Sequence, residues 1–170
     1  LPILRGFGDM QGTEAITSRI PDAEVAAQQY ELDCAGAFGD LVNYAAKGHK
    51  AELVGTEKIS KVPCYKIKLT LKTGQVVFYF IDSQTNLVKQ MEASGEMAAN
   101  MSGFGSMMKS FGRNVKKDEK ATLFVKEYKD INGIKYPGKY ILSFGPIESE
   151  VDNMAIKINE GLDEKWYHVK

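Results

Sequence analysis

The stretch "CYKIKLTLKTGQVVFYFID", residues 64–82, decides the architecture. In its first half Tyr65, Ile67, Leu69 and Leu71 alternate with Lys66, Lys68, Thr70 and Lys72. That period of two sends successive side chains to opposite faces of a strand, one apolar and one polar. "KTGQ" (72–75) then turns the chain around Gly74, and a second strand follows at once, so the two pair antiparallel. The partner, "VVFYFID", differs in kind. Val76, Phe78 and Phe80 face one way, Val77, Tyr79 and Ile81 the other, and both sets are apolar. Such a strand within a hairpin needs cover on each side of the sheet.

The hairpin pattern continues outward from there. "SQTN" (83–86) makes a second turn into "LVKQMEASGEM" (87–97). "KATLFVKEY" (120–128) leads into a turn marked by Asn132-Gly133, followed by "KYILSFGPIES" (139–149) and "VDNMAIKINEG" (151–161). In the last of these Met154, Ile156 and Ile158 alternate inward. About seven strands joined by short turns are expected from Ala51 onward, an antiparallel meander. Residues 1–50 read instead as loop and helix. "SRIPDAEVAAQQYELD" (18–33) places Pro21 in a first helical turn with Asp22 and Glu24 near its positive end. "GAFGDLVNYAAKGHK" (36–50) spaces Phe38, Leu41, Val42 and Ala45 for a second helix, stopped by Gly48. The expected fold is therefore mainly β with an α+β arrangement: one domain over residues 1–170, an antiparallel sheet covered by N-terminal helices, and an insertion near 96–114.

Composition narrows the function classes. The 22 basic and 22 acidic residues cancel, so no concentrated basic face argues for nucleic acid. Apolar runs such as "VVFYFI" (76–81) are too short to span a bilayer as a helix. "LPILRGFGDM" (1–10) lacks the basic start and long apolar core of a signal peptide, which fits a cytoplasmic or a processed chain. Catalytic residues are not expected. There is no GxSxG elbow, and His49 and His168 lie far apart. The carboxylates of "ESEVD" (148–152) and "EGLDE" (160–164) suit turns and solvated strand ends. "GFGDMQG" and "SGFGS" lack the strand-to-helix context of a phosphate loop, so no nucleotide or other cofactor is implied. Two cysteines and two scattered histidines lack zinc-ligand spacing. Cys34 and Cys64 form a disulfide in an oxidising compartment or remain buried thiols, and the second reading is preferred.

What stands out is apolar surface. The inward set of the sheet is read as Tyr65, Ile67, Leu69, Phe78, Phe80, Leu123, Val125, Tyr140, Leu142 and Phe144, a hydrophobic groove for an apolar ligand or else ordinary core. Beside it lies "MSGFGSMMKSFG" (101–112), whose Met101, Phe104, Met107, Met108 and Phe111 suit a soft flap over that groove. Glycines at 103, 105 and 112 disfavour one helix through the whole stretch. A plain loop and a membrane-contact loop are the other readings.

A family resemblance rests on these same hairpins. Leu41, Val42, Tyr44, Lys47 and Gly48, the run 52–55, the strand and turn 65–74, and the hairpin 80–87 resemble bacterial outer-membrane lipoprotein-sorting proteins with a LolA-like fold. "VKEYKDINGIKYP" (125–137) is similar to that family's Y-x-x-x-x-G-x-x-x-P turn, and "MAIKINEGLDEKWY" (154–167) to its closing strand. The resemblance covers most of 36–167. It implies a strongly curved, half-barrel antiparallel sheet under helices, with non-enzymatic holding of lipid or lipoprotein acyl chains. It also implies a periplasmic setting, or the inner face of the outer membrane if residues preceding Leu1 carry a lipid anchor. Two departures stand out. The family has further elements before the point where this chain starts, so an open sheet edge would permit homo-oligomers by strand pairing. The family also has a short connection where this chain has 96–114. The competing reading is a cell-envelope interaction module with a filled core and no ligand.

Overall fold

The computed structural model describes residues 38–103, 115–153 and 155. The alternating segments become seven strands: β1 (Lys50–Ile59), β2 (Val62–Thr70), β3 (Val76–Asp82), β4 (Val88–Ser94), β5 (Lys120–Ile131), β6 (Ile134–Phe144) and β7 (Ile147–Asp152). They form one sheet in chain order, every neighbouring pair antiparallel. One helix, α1 (Glu96–Ser102), is present among the described residues. The chain is thus mainly β. It divides into two compact units, Leu1–Asn43 and Tyr44–Lys170, and the whole sheet belongs to the second.

Local chemistry explains the turns. Asn132 and Gly133 both take positive φ (54° and 84°) between the paired Ile131 and Ile134, the two-residue turn whose twist matches antiparallel strands. Ser60 and Lys61 adopt the same pair of angles (49° and 71°) between Ile59 and Val62 without a glycine, a strained choice for side chains bearing Cβ. Asp82 organises the β3–β4 turn: its carboxylate accepts from the backbone N–H of Gln84 at 2.8 Å and of Thr85 at 3.4 Å. Those bonds, Gln84 first, hold the Asp82 carboxyl below the usual range.

Register assigns every side chain to a face. One row crosses all seven strands as Ala51, Leu69, Val77, Ala93, Ala121, Phe144 and Ile147. The next row on that face runs Leu53, Ile67, Tyr79, Met91, Leu123, Leu142 and Ser149. The opposite face carries Glu52, Lys68, Phe78, Glu92, Thr122, Ser143 and Glu148, then Lys66, Phe80, Gln90, Phe124, Ile141 and Glu150. One face is apolar and the other mixed. Helix α1 lies on the apolar face, where Ala98 and Ala99 pack with Ala93, Ala121 and Phe144. Ala93 and Ala121 are small there, which lets a helix backbone approach the sheet.

Three expectations need correction. Residues 36–48 were expected to form a helix, but 38–48 are consecutive turns. Phe38 and Asn43 take left-handed angles (61° and 53°), through which a right-handed helix cannot pass. The final strand was expected over 151–161. Instead Gly145 (φ 53°) and Pro146 make a two-residue turn, and β7 is "IESEVD" at Ile147–Asp152. Met154, Ile156 and Ile158 lie outside the described residues, as does the predicted helix over 18–33. The stretch beginning at 96 opens as a helix, not as a loop. Gly95 (φ 63°) precedes α1 and Gly103 (φ 75°) closes it in the left-handed C-terminal cap, its N–H reaching the Asn100 carbonyl at 3.0 Å.

Two substitutions test this account of the turns. A Cβ on Gly95 would sit 3.3 Å from the Lys117 carbonyl oxygen and would have to hold a positive φ. Gly95→Ala is expected to lower urea-unfolding stability by about 1–2 kcal/mol. Replacing the strained β1–β2 turn by Asn-Gly (Ser60→Asn with Lys61→Gly) is expected to raise it by about 1 kcal/mol. An unchanged unfolding midpoint in either protein contradicts the turn assignment.

Candidate functional site

Eight of the ten groove candidates share the apolar face: Tyr65, Ile67, Leu69, Leu123, Val125, Tyr140, Leu142 and Phe144. The register puts Phe78 and Phe80 on the other face, cross-strand from Lys68 and Lys66. The reason is parity. In β3 the apolar face belongs to Val77 and Tyr79, and a doubly apolar strand does not itself reveal which of its two rows joins the neighbours.

Burial on the apolar face is graded. Leu69, Val77, Tyr79 and Val125 are buried at its middle, together with Met91 and Ala93. Ile67, Leu123, Tyr140 and Leu142 are half-buried. At the flanks Leu53 (64%), Tyr65 (40%) and Ile147 (43%) are exposed. A sheet face that only had to close a core would end in polar residues at its margins, whereas here apolar side chains run to both edges. Met101, expected in a flap, belongs to α1 and packs with Met97 and Val115 against the Ala93–Phe144 cluster. Phe104, Met107, Met108 and Phe111 lie outside the described residues.

The opposite face hides its aromatics under lysines. Phe80 is fully buried in a cluster with Ile59 and Cys64, against which Val62, Phe78 and Phe124 pack. Lys66 Nζ stands 5.0 Å from the Phe80 ring centroid and 5.4 Å from that of Phe78, while Lys89 Nζ stands 4.6 Å from that of Phe124. The lysine stems cover the rings and their ammonium heads meet the π faces. Lys66 is further held by Glu57 at 3.0 Å, and Lys68 approaches Glu52 at 3.7 Å. Near the other edge Lys126 and Lys139 pair with Glu150, and Lys129 and Lys139 with Asp152. These pairs are exposed, where solvent screening leaves them little net energy, so they order the surface more than they stabilise the fold.

The perturbed titratable groups serve the same frame. The Lys126 ammonium holds the Glu150 carboxyl below its usual range, and Asp152 raises Lys139. Lys135, and then the Gly133 N–H, lower Asp130 at the β5–β6 turn. Burial pushes up the thiol of Cys64, a free cysteine, while Cys34 lies outside the described residues. Burial likewise raises the Tyr128 phenol, whose OH donates to the Val88 carbonyl at 2.6 Å. With Lys89 Nζ donating to the Val125 carbonyl at 2.9 Å, it ties β4 to β5 beyond the last paired residues of their ladder. Among the described residues no three His, Cys, Asp or Glu side chains gather as metal ligands, and no helix is long and apolar enough to cross a membrane. The apolar face offers a surface for contact with apolar groups.

No family model matches the chain, and no curated protein does. Among solved structures, the crystal structure of a DUF1329 family protein from Desulfovibrio piger is similar, with a TM-score of 0.50 at 16% sequence identity. The likeness covers 71% of this chain and 45% of the neighbour, so the chain spans less than half of that protein's length. At such identity it bears on the fold alone: a sheet of this architecture, built by a different sequence, recurs as part of a larger protein.

Proposed function

We propose that this chain holds the acyl chains of a lipid or lipoprotein against the apolar face of its sheet, as a binding or carrier protein and not as an enzyme. The observation that carries this reading is the graded apolar face, with buried residues at its centre and apolar side chains continuing to both flanks. An alkyl chain laid along half-buried Ile67, Leu123 and Leu142 would lose water-exposed area at about 25 cal/mol per Å². Curvature would improve the fit. Ladder irregularities at Leu53/Gly55, Phe80/Ile81, Val125/Glu127 and Glu127/Tyr128 are places where a sheet bends and twists more strongly, as a half-barrel requires. The resemblance of 36–167 to lipoprotein-sorting proteins supports a cell-envelope setting, periplasmic or at the inner face of the outer membrane.

One observation favours the second reading, an interaction module. β1 is an outermost strand of the described sheet, and every residue from Glu52 to Lys58 is exposed. An exposed edge invites pairing with another strand. However, the bulge between Leu53 and Gly55 and the lysines at 50 and 58 are devices that discourage it. Acyl binding is therefore the preferred reading.

Displacement of a fluorescent fatty-acid probe tests it. The chain is expected to bind the probe, and Ile67→Ser or Leu142→Ser to weaken binding roughly tenfold through lost apolar contact. Phe78→Leu, on the other face, is expected to leave affinity unchanged. Absence of uptake, or equal losses from both faces, contradicts the proposal.

A further inference from the structure

The two faces of the β1–β2 hairpin differ in how their charge is handled. On the mixed face Lys66 pairs with Glu57 and Lys68 with Glu52, while Lys50 stands at the far end of β1 from the turn. Asp82, opposite Cys64 on that face, has its carboxylate engaged by the backbone N–H of Gln84 and Thr85. On the apolar face the hairpin presents Leu53, Thr56 and Lys58 from β1, and Pro63, Tyr65 and Ile67 from β2. Leu53, Pro63, Tyr65 and Lys58 are exposed. Lys61 occupies the turn itself, also exposed, and neither Lys58 nor Lys61 forms an ion pair among the described residues.

From this asymmetry we infer that the β1–β2 hairpin docks on the surface of an anionic lipid bilayer, through Leu53 and Tyr65 with Lys58 and Lys61 at its tip. The chemistry is complementary at two depths. Leu53 supplies an aliphatic group to the boundary of the acyl region, and Tyr65 an amphipathic ring suited to the headgroup level. Lysines on flexible stems reach phosphates while their methylenes stay with apolar neighbours. Lys58 and Lys61 are available for this because the acids of the hairpin, Glu52 and Glu57, are committed to the opposite face. The strained Ser60-Lys61 turn holds the second lysine beyond the ends of both strands. This docking goes beyond acyl binding and rests chiefly on residues outside the groove set.

Vesicle co-sedimentation with the full chain tests the inference. The chain is expected to associate with phosphatidylglycerol vesicles, less so as salt is raised, and far more weakly with phosphatidylcholine. At about fivefold per charge, Lys58→Gln with Lys61→Gln is expected to lower partitioning roughly 25-fold. Leu53→Ser is expected to lower it roughly tenfold. Lys68→Gln, on the other face of the same hairpin, should match the unaltered chain. Equal partitioning to both lipids, no association with phosphatidylglycerol, or a lysine double variant that partitions like the parent overturns the inference. Fatty-acid probe uptake by the same double variant should be unchanged. A chain that takes up the probe but ignores vesicles therefore refutes docking and leaves acyl binding standing.

Discussion

The structure depends on one constraint, the antiparallel register that carries one apolar row across seven strands and a second across six of them. Ala51, Leu69, Val77, Ala93, Ala121, Phe144 and Ile147 come from strands up to about a hundred residues apart, yet they line up because every hairpin is in step with the last. A slip of one residue at any turn would move the following strands' apolar side chains to the wrong face. The turns are accordingly specific: Asn132-Gly133 and Gly145-Pro146 in two-residue loops, and the Asp82 carboxylate clamped on the β3–β4 turn. Even the strained Ser60-Lys61 turn serves this requirement, since a relaxed turn of the other hand would splay β1 from β2.

The second face shows how a sheet can carry aromatics away from its main apolar side. Phe78, Phe80 and Phe124 would be a liability if bare. They are covered by Lys66 and Lys89 and bordered by ion pairs that run toward both edges. The cover is supplied by the sheet's own side chains, which is why a charged strand such as β2 can adjoin a doubly apolar one such as β3. The remaining asymmetry, Glu52 and Glu57 both engaged on the mixed side of the β1–β2 hairpin while Lys58 and Lys61 near its tip form no ion pair among the described residues, gives the sheet a chemically distinct corner.

Much of the fold was legible in the sequence. The alternation in 64–72, the Gly74 turn, the 83–86 turn and the Asn132-Gly133 signal each appear where they were read, because period and turn chemistry are local properties. The errors arose where local signals were silent or shared. Phe38, Leu41 and Val42 have helical spacing, but left-handed Phe38 and Asn43 break the helix. "ESEVD" lacks apolar alternation, and its carboxylates, which suit a solvated strand end, lie in the largely exposed β7, the outermost strand of the described sheet, where Glu150 and Asp152 pair with lysines of β5 and β6. Phe78 and Phe80 cannot be told from the inward row by pattern because both of their strand's faces are apolar, and only cross-strand register separates the rows. Helix α1 was hidden by the glycines that flank it, which cap it at each end. As for the candidate site, eight of its ten residues come together on one face, while the ligand role proposed for them rests on the chemistry of that face and not on pattern.

The face assignment and the ligand meet at two adjacent residues, Ile141 and Leu142, whose side chains lie on opposite sides of β6. The most direct measurement is intermolecular NOE spectroscopy on methyl-labelled protein loaded with a long-chain fatty acid. Contacts are expected from the acyl chain to the methyls of Ile67, Leu123 and Leu142, and none to Ile141. Contacts to Ile141 with silence at Leu142 would place the ligand on the lysine-covered face and contradict it.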